Sequence, residues 1–330
     1  MALGVLTICL VAPIPAWAQV STNSQAAGLT VSPVVDEFTV NPGATVTRIV
    51  HIINPVAQTI TLYPVVYNFT TDNQEGRPQF YTSTEKSSTF AMSDWVSFGQ
   101  SSITIAPGQS QIFQINITAP TTAEPGGHYG AILFSTEKPT TTKNSNQVSV
   151  VGLIGTLLLA TVPGNLVQIM DLEDFNAPTF LVKGPANFSL LFSNTGNIHL
   201  KPIGQIKIRN WFGNTNALLD VNAGHGNVLP QSKRHFDNSW DFDWKAVGKF
   251  TATATVTFGD PQQQATLART FWIIPWWLII TVAALVTLIL LWIILAASRK
   301  RRRNKIRPDT LPTFSAPRDN QPPKKKFIMR

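Results

Sequence analysis

Residues Phe250 to Phe258 read Phe-Thr-Ala-Thr-Ala-Thr-Val-Thr-Phe, so apolar side chains occur at alternate positions with threonines between them. Successive side chains of a β-strand point to opposite faces, and such a run buries one face while the other contacts water. Similar patterns run from Val46 to Ile53 and from Gln111 to Ile117. These stretches predict a fold built from half-buried strands.

Turn-forming residues separate the strands at short intervals. Asparagine, proline and glycine bound them at Asn41-Pro42-Gly43, Asn54-Pro55, Ala106-Pro107-Gly108 and Pro125-Gly126-Gly127. About 250 residues lie between the apolar ends of the chain, which is enough for two ordinary domains. The predicted fold class is all-β, with two tandem Ig-like antiparallel β-sandwich domains and one C-terminal transmembrane α-helix.

The two halves of this region repeat one order of turns and strands. Ile105-Ala-Pro107 precedes the run from Gln111 to Ile117, as Val228-Leu-Pro230 precedes a run from His235 to Phe242. A repeat of this kind favours two similar domains over one large barrel. We predict a boundary near Pro163-Gly164, which gives a first domain at 29–162 and a second domain at 163–271.

The run from Val148 to Val162 has two possible interpretations. It is apolar enough to resemble a membrane segment, but it is short, contains Gly152 and Gly155, and has no flanking charge cluster. A buried strand with glycine bends fits these features better. We therefore expect it to be the closing strand of the first domain.

The segment from Trp276 to Ala297 contains no ionisable residue. A helix rises about 1.5 Å per residue, so a segment of this length crosses a hydrocarbon core about 30 Å thick. Indole rings favour the membrane interface, and four tryptophans lie at the edges of the segment: Trp272, Trp276, Trp277 and Trp292. We predict a transmembrane helix at 273–297.

Most of the positive charge of the chain follows this segment. The chain has a formal net charge of +8, but the predicted tail at 298–330 alone carries 12 Lys or Arg against Asp309 and Asp319. The remainder is therefore slightly acidic, which argues against nucleic acid as a partner. Positive charge favours the cytoplasmic side and contacts anionic lipid headgroups. The residues expected to stop translocation are Arg299, Lys300, Arg301, Arg302 and Arg303.

The N-terminus resembles an export signal. An apolar stretch from Ala2 to Ile14 precedes Ala16-Trp17-Ala18, and small residues at Ala16 and Ala18 fit a signal-peptidase site. We predict a signal peptide at 1–18 and a short linker at 19–28. No Lys or Arg precedes the apolar stretch, so we expect the natural start to lie upstream of Met1. Cleavage would remove Cys9, the single cysteine.

No catalytic, cofactor or metal site is predicted. The five histidines have no metal-ligand spacing: His51, His128, His199, His225 and His235. No nucleophile elbow or phosphate-binding glycine loop is present. The stretch from Asp72 to Gly76 lacks the regular oxygen ligands of a calcium loop and predicts a solvated hairpin turn. The chain is therefore predicted not to be an enzyme.

The sequence Trp240-Asp-Phe-Asp-Trp244 allows two interpretations. Strand alternation would place Trp240, Phe242 and Trp244 on one face, with Asp241 and Asp243 on the other. The simpler interpretation is an aromatic strand facing the core with an acidic outer face. The alternative is a ligand surface for carbohydrate or calcium formed by Trp240, Asp241, Asp243 and Trp244.

Several short motifs in the first half resemble the WxL-interacting protein family of Gram-positive bacterial surfaces. They are Val31-Ser-Pro33, Asn41-Pro-Gly43, Val50-His-Ile-Ile-Asn54, Ser93-Asp-Trp95-Val, Ile105-Ala-Pro-Gly108 and Pro125-Gly-Gly-His-Tyr-Gly-Ala131. The resemblance covers about residues 29 to 162. It implies a first domain that binds peptidoglycan and a second that binds a host or partner protein. Residues 166 to 271 depart from the family's usual second domain.

Two functions remain open from the sequence. The first is a membrane-anchored cell-surface binding or scaffolding protein, with its domains outside the cell and its tail inside. Its ligands would be cell-wall peptidoglycan or other surface proteins. The second is a chaperone-like assembly or secretion factor that adds an edge strand to its partners. A membrane-anchored hydrolase is a third, less favoured hypothesis.

Overall fold

The computed structural model describes residues 28–71, 74–138 and 153–305. Ten strands up to Val162 form two facing sheets, here called the first sandwich. One sheet has the order β1-β3-β8-β6, and the other the order β2-β10-β9-β4-β5 with β7 paired to β4. The strands are β1 Thr30–Ser32, β2 Val35–Thr39, β3 Thr45–Ile53, β4 Ile60–Thr70, β5 Gln79–Tyr81, β6 Val96–Ser97, β7 Ile103–Ile105, β8 Ser110–Thr118, β9 Gly126–Ser135 and β10 Leu153–Val162.

Alternating side chains fill the space between these two sheets. Phe113, Ile115 and Ile117 of β8 are buried and pack against Phe134 and Leu158 of the facing sheet. Burial of apolar surface on this scale is the main favourable contribution to folding. The strands predicted at Val46–Ile53 and Gln111–Ile117 are confirmed in β3 and β8.

The strand predicted at Val148–Val162 is confirmed for its described part, β10. It pairs antiparallel with β9 and parallel with β2, so it is an inner strand of its sheet. Gly155 lies where a Cβ atom would meet the Ile132 carbonyl oxygen at 2.0 Å, which explains a glycine inside the strand. Residues 148–152, including Gly152, lie outside the described residues.

Eight later strands form a second pair of sheets, here called the second sandwich. The sheet orders are β11-β13-β16 and β12-β18-β17-β14-β15. No described strand of the first sandwich pairs with one of the second. The strands are β11 Met170–Asn176, β12 Phe180–Leu181, β13 Ala186–Asn194, β14 Ile203–Asn210, β15 Thr215–Val221, β16 Ser232–Trp240, β17 Gly248–Phe258 and β18 Gln263–Ile273.

Phenylalanines dominate the core of the second sandwich. Phe188 and Phe192 of β13 face Phe250 and Phe271 of the other sheet, and the rings of Phe250 and Phe271 stack at 5.7 Å. The opening run from Phe250 to Phe258 is confirmed as β17, with its apolar side chains inward. The predicted fold class is confirmed, with two short parallel pairings, β2–β10 and β12–β18, in place of fully antiparallel sheets.

One long helix, α1 Trp276–Lys305, follows the second sandwich. Residues Trp276–Arg301 form a helix long and apolar enough to cross a membrane, and its most apolar 18-residue stretch has a mean hydropathy of 3.1 and is not buried. The predicted start at residue 273 is wrong, because Ile273 pairs with Gly248 in β18 and is fully buried. Arg299, Lys300, Arg301, Arg302 and Arg303 all lie in the last turns of α1.

Most outer strands of the sheets are short or charged. β1, β5, β6 and β12 contain two or three residues, and β11 carries three carboxylates and a bulge. β15 is longer, but Asn238 donates a hydrogen bond of 2.8 Å to its Asp220 carbonyl oxygen. Such edges resist pairing with another chain. β16 is also an outer strand and contains nine residues, so the strand-addition hypothesis stays a prediction.

Several predictions lie outside the described residues. These are the signal peptide with Ala16 and Ala18, the linker at 19–27, and the tail from residue 306 onward. The domain boundaries at 29–162 and 163–271 also stay predictions.

Candidate functional site

An open groove crosses one side of the first sandwich, with a volume of about 560 Å³. It lies between β4, β6 and the segment that follows β5. Most of its lining side chains are hydroxyls or a carboxylate, and we call it the hydroxyl groove. Its lining residues are Val66, Thr82, Ser83, Thr84, Ser93, Asp94, Val96, Ser97 and Phe98.

Asn68 fixes the floor of the hydroxyl groove. It is fully buried in β4, and its Oδ1 accepts the backbone N–H groups of Met92 and Ser93 at 2.8 and 2.7 Å. Its Nδ2 donates to Ser93 Oγ at 2.9 Å and to Ser83 Oγ at 3.4 Å. A buried amide with these bonds holds the short 3₁₀ helix Ser93–Trp95 against the sheet.

Asp94 and two serines form a connected polar surface in the groove. Ser83 Oγ donates to Asp94 Oδ1 at 3.1 Å and lies 2.9 Å from Ser93 Oγ. Asp94 is exposed, so its remaining lone pairs face the open groove. Hydroxyls and a carboxylate offer both donors and acceptors, which suits the hydroxyl and amide groups of a glycan.

The aromatic pair behind this groove is structural. Trp95 packs on the first core, and its ring lies 4.4 Å from that of His128. His128 is buried, and its Nε2 lies 2.9 Å from the Glu124 carbonyl oxygen. Burial lowers the pKa of His128 despite that contact, so the imidazole is neutral at ordinary pH. This packing gives Trp95 a place in the core and His128 a structural role.

A second concavity, of about 490 Å³, lies between the two sandwiches. At its rim, Glu37 of β2 accepts hydrogen bonds from Lys201 Nζ at 2.7 Å and Asn227 Nδ2 at 2.8 Å. Partial burial would raise the pKa of Glu37, but these two bonds outweigh it and hold the pKa below its usual value. We call this concavity the inter-sandwich cleft.

An apolar contact closes the base of the inter-sandwich cleft. Leu229 of the second sandwich is buried against Phe69, Tyr129 and Leu159 of the first. Tyr129 Oη also lies 3.3 Å from His199 Nδ1. Burial lowers the pKa of His199 to about 4. Every residue of β9 is consequently buried, because its inner face meets the core and its outer face meets this contact.

The segment between β4 and β5 also contacts the second sandwich. The carbonyl oxygen of Gln74 accepts a hydrogen bond of 2.6 Å from the backbone N–H of His235. The side-chain oxygen Oε1 of Gln74 also lies 2.9 Å from His235 Nε2. The hairpin is confirmed by the pairing of β4 with β5, and Gln74 and Glu75 of its turn are exposed, as predicted. Asp72 and Asn73 lie outside the described residues.

Residues 37–136 match the family model of the WxL Interacting Protein, peptidoglycan binding domain. The first sandwich is therefore similar to this family over the matched residues. The match confirms the resemblance of the first half and covers most strands of the first sandwich. No curated protein matches the chain.

Solved structures similar to this chain include two chaperones. The Class 5 Fimbriae Chaperone CfaA is 10% identical, with 74% of this chain and 98% of that chain covered and a TM-score of 0.35. The E. coli chaperone DraB is 13% identical, with 74% and 97% covered and a TM-score of 0.32. Overlap this weak supports no inference about the arrangement or function of this chain.

All nine residues that line the hydroxyl groove fall within the matched residues 37–136. The inter-sandwich cleft is shared, since Glu37 and Phe69 lie inside the matched region and Lys201 and Leu229 lie outside it. The hydroxyl groove therefore lies wholly within the matched region, whereas the inter-sandwich cleft does not.

The aromatic face predicted from Trp240 to Trp244 does not form. β16 ends at Trp240, which is buried among Phe242, Phe250 and Phe271. The chain then leaves the sheet, so strand alternation stops. Trp244 is exposed and contacts Trp277 of α1 instead. The ligand surface proposed for Trp240, Asp241, Asp243 and Trp244 loses the shared aromatic face on which it was based.

One set of side chains outside the matched domain resembles catalytic machinery in composition. Ser189 Oγ donates to Asp237 Oδ1 at 2.6 Å and lies 3.1 Å from His235 Nδ1. In a serine hydrolase the histidine stands between the serine and the carboxylate. Here the serine stands between them, and His235 Nε2 contacts Gln74. Within the described residues, no group of three or more His, Cys, Asp or Glu side chains could hold a metal ion.

Sequence reasoning missed the hydroxyl groove. The cluster Thr82-Ser83-Thr84 and the motif Ser93-Asp94 lie far apart from Asn68 in the sequence, and β-sheet pairing brings them together. The run of hydroxyl residues at 82–84 was a usable signal, because exposed Ser and Thr clusters between strands mark polar surface loops.

Proposed function

We propose that this chain is a membrane-anchored bacterial cell-surface binding protein whose first domain, 29–162, engages peptidoglycan through the hydroxyl groove. The match of residues 37–136 to a peptidoglycan-binding domain carries the proposal. The groove supports it, because it is an open concavity at the surface and a polymer strand needs such an opening. Its donors and acceptors complement a glycan.

The anchor and the orientation complete this proposal. Helix α1 serves as a single membrane span, and the basic residues from Arg299 onward remain in the cytoplasm near anionic headgroups. The signal peptide at 1–18 exports the remainder. The second domain, 163–271, stands between membrane and wall and binds a partner surface protein.

The test is co-sedimentation of the full chain in nanodiscs with purified peptidoglycan sacculi. We expect the protein to pellet with sacculi. Asp94→Asn should weaken binding by about tenfold, because a hydrogen bond to a charged group contributes about 1.5 kcal/mol. Asp171→Asn is the matched control, since Asp171 is an exposed carboxylate on the second sandwich. It should bind like the parent protein.

Two results would contradict separate parts of the proposal. If the parent protein stays in the supernatant, the proposal that it binds peptidoglycan is wrong. If the Asp94→Asn variant binds like the parent, the proposal of peptidoglycan binding stands, but the assignment of the hydroxyl groove as the binding site is wrong.

A further inference from the structure

Two loops and one edge strand of the second sandwich lie at the end from which α1 leaves. Strand register places them there, because Asn210 pairs with Phe250, Phe250 with Phe271, and Gly248 with Ile273. The β14–β15 turn, the β16–β17 loop and the edge strand β12 are therefore neighbours of the α1 start. We call this surface the helix-proximal end.

Large aromatic side chains project from the helix-proximal end. Trp211 is 69% exposed, Phe212 is 72% exposed and Trp244 is 68% exposed. Phe180 and Trp272, paired across β12 and β18, are each about half exposed. Aromatic surface concentrated in this way marks a contact with a partner or a membrane, since isolated apolar residues are the rule elsewhere on surfaces.

The turn that carries Trp211 and Phe212 holds them in a defined position. Asn210 Oδ1 accepts the backbone N–H groups of Phe212 and Asn214 at 3.1 and 3.0 Å. Gly213 has a φ of 86°, which lets the chain reverse directly after the rings. The two rings lie 4.5 Å apart and form one apolar tip.

Trp244 connects the helix-proximal end to the first turn of α1. Its ring lies 6.3 Å from that of Trp277 in an edge-to-face arrangement, and Trp277 Nε1 donates to the Trp244 carbonyl oxygen at 3.4 Å. Trp276 and Trp277 begin the apolar helix, so Trp244 lies at the depth at which the chain would enter the bilayer. The exposed aromatic surface is thus continuous with the membrane span.

The charges around this surface fit a lipid headgroup layer. Lys183, Lys245 and Lys249 are exposed there, beside Asp241 and Asp243. Lys245 Nζ lies 5.8 Å from the Trp244 ring centre. Lysines next to indoles reach phosphate groups while their stems stay with apolar surface. Two aspartates reduce the net charge, so attachment would depend on the aromatic rings more than on charge.

We infer that the helix-proximal end of the second sandwich docks on the outer leaflet, with Trp211, Phe212 and Trp244 inserted among the lipid headgroups. This inference rests on the membrane anchoring in the proposed function. The turn, the loop and α1 provide three separate points of attachment. The second sandwich is then held at one tilt on the membrane instead of moving freely about the start of α1.

Site-directed spin labels on the full chain in vesicles of phosphatidylglycerol and phosphatidylcholine test this docking. Cys9→Ser removes the single cysteine, and labels are placed through Phe212→Cys, Gln262→Cys or Leu288→Cys in separate variants. Gln262 lies in the turn at the opposite end of the sandwich, and Leu288 lies within α1. The accessibility of each label to oxygen and to a water-soluble nickel complex is measured.

We expect the label at 212 to be at least about threefold less accessible to nickel than the label at 262, and to retain oxygen accessibility, as an interfacial position does. Equal nickel accessibility at 212 and 262, with the label at 288 in the bilayer, overturns the docking and leaves the anchor intact. A label at 212 shielded from both reagents indicates contact with protein and also overturns it. Water accessibility at 288 overturns the anchor itself.

Discussion

Lys201 of the second sandwich donates a hydrogen bond of 2.7 Å to Glu37 of the first, across the rim of the inter-sandwich cleft. Both side chains are about one third exposed, so water screens the pair. We expect a double-mutant cycle of Glu37→Gln and Lys201→Met to give a coupling below about 1 kcal/mol. Urea unfolding of a fragment that contains residues 28–274 measures this coupling energy. The Lys233–Glu173 pair inside the second sandwich is the control cycle. A coupling of several kcal/mol would show that the ion pair dominates the contact.

Leu229 should contribute more to the contact between sandwiches than the ion pair does. It is 4% exposed and packs on Phe69, Tyr129 and Leu159. Leu229→Ala leaves a cavity there and should lower the free energy of unfolding by about 3 kcal/mol. Leu218→Ala is the control, because Leu218 is 53% exposed and its truncation should change stability by less than about 0.5 kcal/mol. Equal effects of the two substitutions would refute the buried contact.

Stability should fall when the pH is lowered through the range set by His199. Its pKa is about 4 in the folded protein, mainly because of burial, against an ordinary value of 6.5. Below pH 6.5 the unfolded chain binds a proton that the folded chain does not bind, so the free energy of unfolding decreases from pH 6.5 to about 4. The loss from this group is about 3 kcal/mol. Unfolding curves of His199→Gln across this pH range should lack that part of the pH dependence. If the variant shows the same pH dependence of stability as the parent protein, His199 is not its cause.

Gly155 should be intolerant of any side chain. A Cβ atom there would lie 2.0 Å from the Ile132 carbonyl oxygen of β9, and neither backbone can move without breaking the pairing. We expect Gly155→Ala to cost more than about 3 kcal/mol or to prevent folding. Gly99→Ala is the control, since a Cβ atom there meets nothing within 4 Å. Thermal unfolding measures both variants, and a Gly155→Ala protein as stable as the parent would contradict this packing.

The strands were predictable where one face is buried and the other is wet. Phe250 to Phe258 meets that condition, because threonines alternate with core residues along β17. Alternation failed at Trp240 to Trp244, since the chain leaves the sheet directly after Trp240 and the last tryptophan contacts α1. The apolar pattern at Ile273 extended the expected helix backward into β18, because a buried strand end and a membrane segment share the same composition.

Contacts between the sandwiches were beyond sequence reasoning. Glu37 and Lys201 are 164 positions apart, and Gln74 and His235 are 161 apart, so no local pattern links them. Leu229 lies in an ordinary Val-Leu-Pro turn by sequence, and only the packed structure shows that it fills the space over Tyr129. The groove residues share this property, since Asn68 bonds to Ser93 across 25 positions.

Only Ile274 and Pro275 separate the last strand, β18, from α1. Proline restricts backbone rotation, and Ile274 N–H is bonded to the Leu181 carbonyl oxygen, so this junction is not a flexible stalk. The longest strands contain eleven residues, which is about 36 Å at 3.3 Å per residue. Two such strand lengths, placed end to end in the proposed orientation, put the hydroxyl groove at most about 70 Å from the bilayer. The protein would then act as a spacer of fixed length, and it could hold wall material only within the layer nearest the membrane.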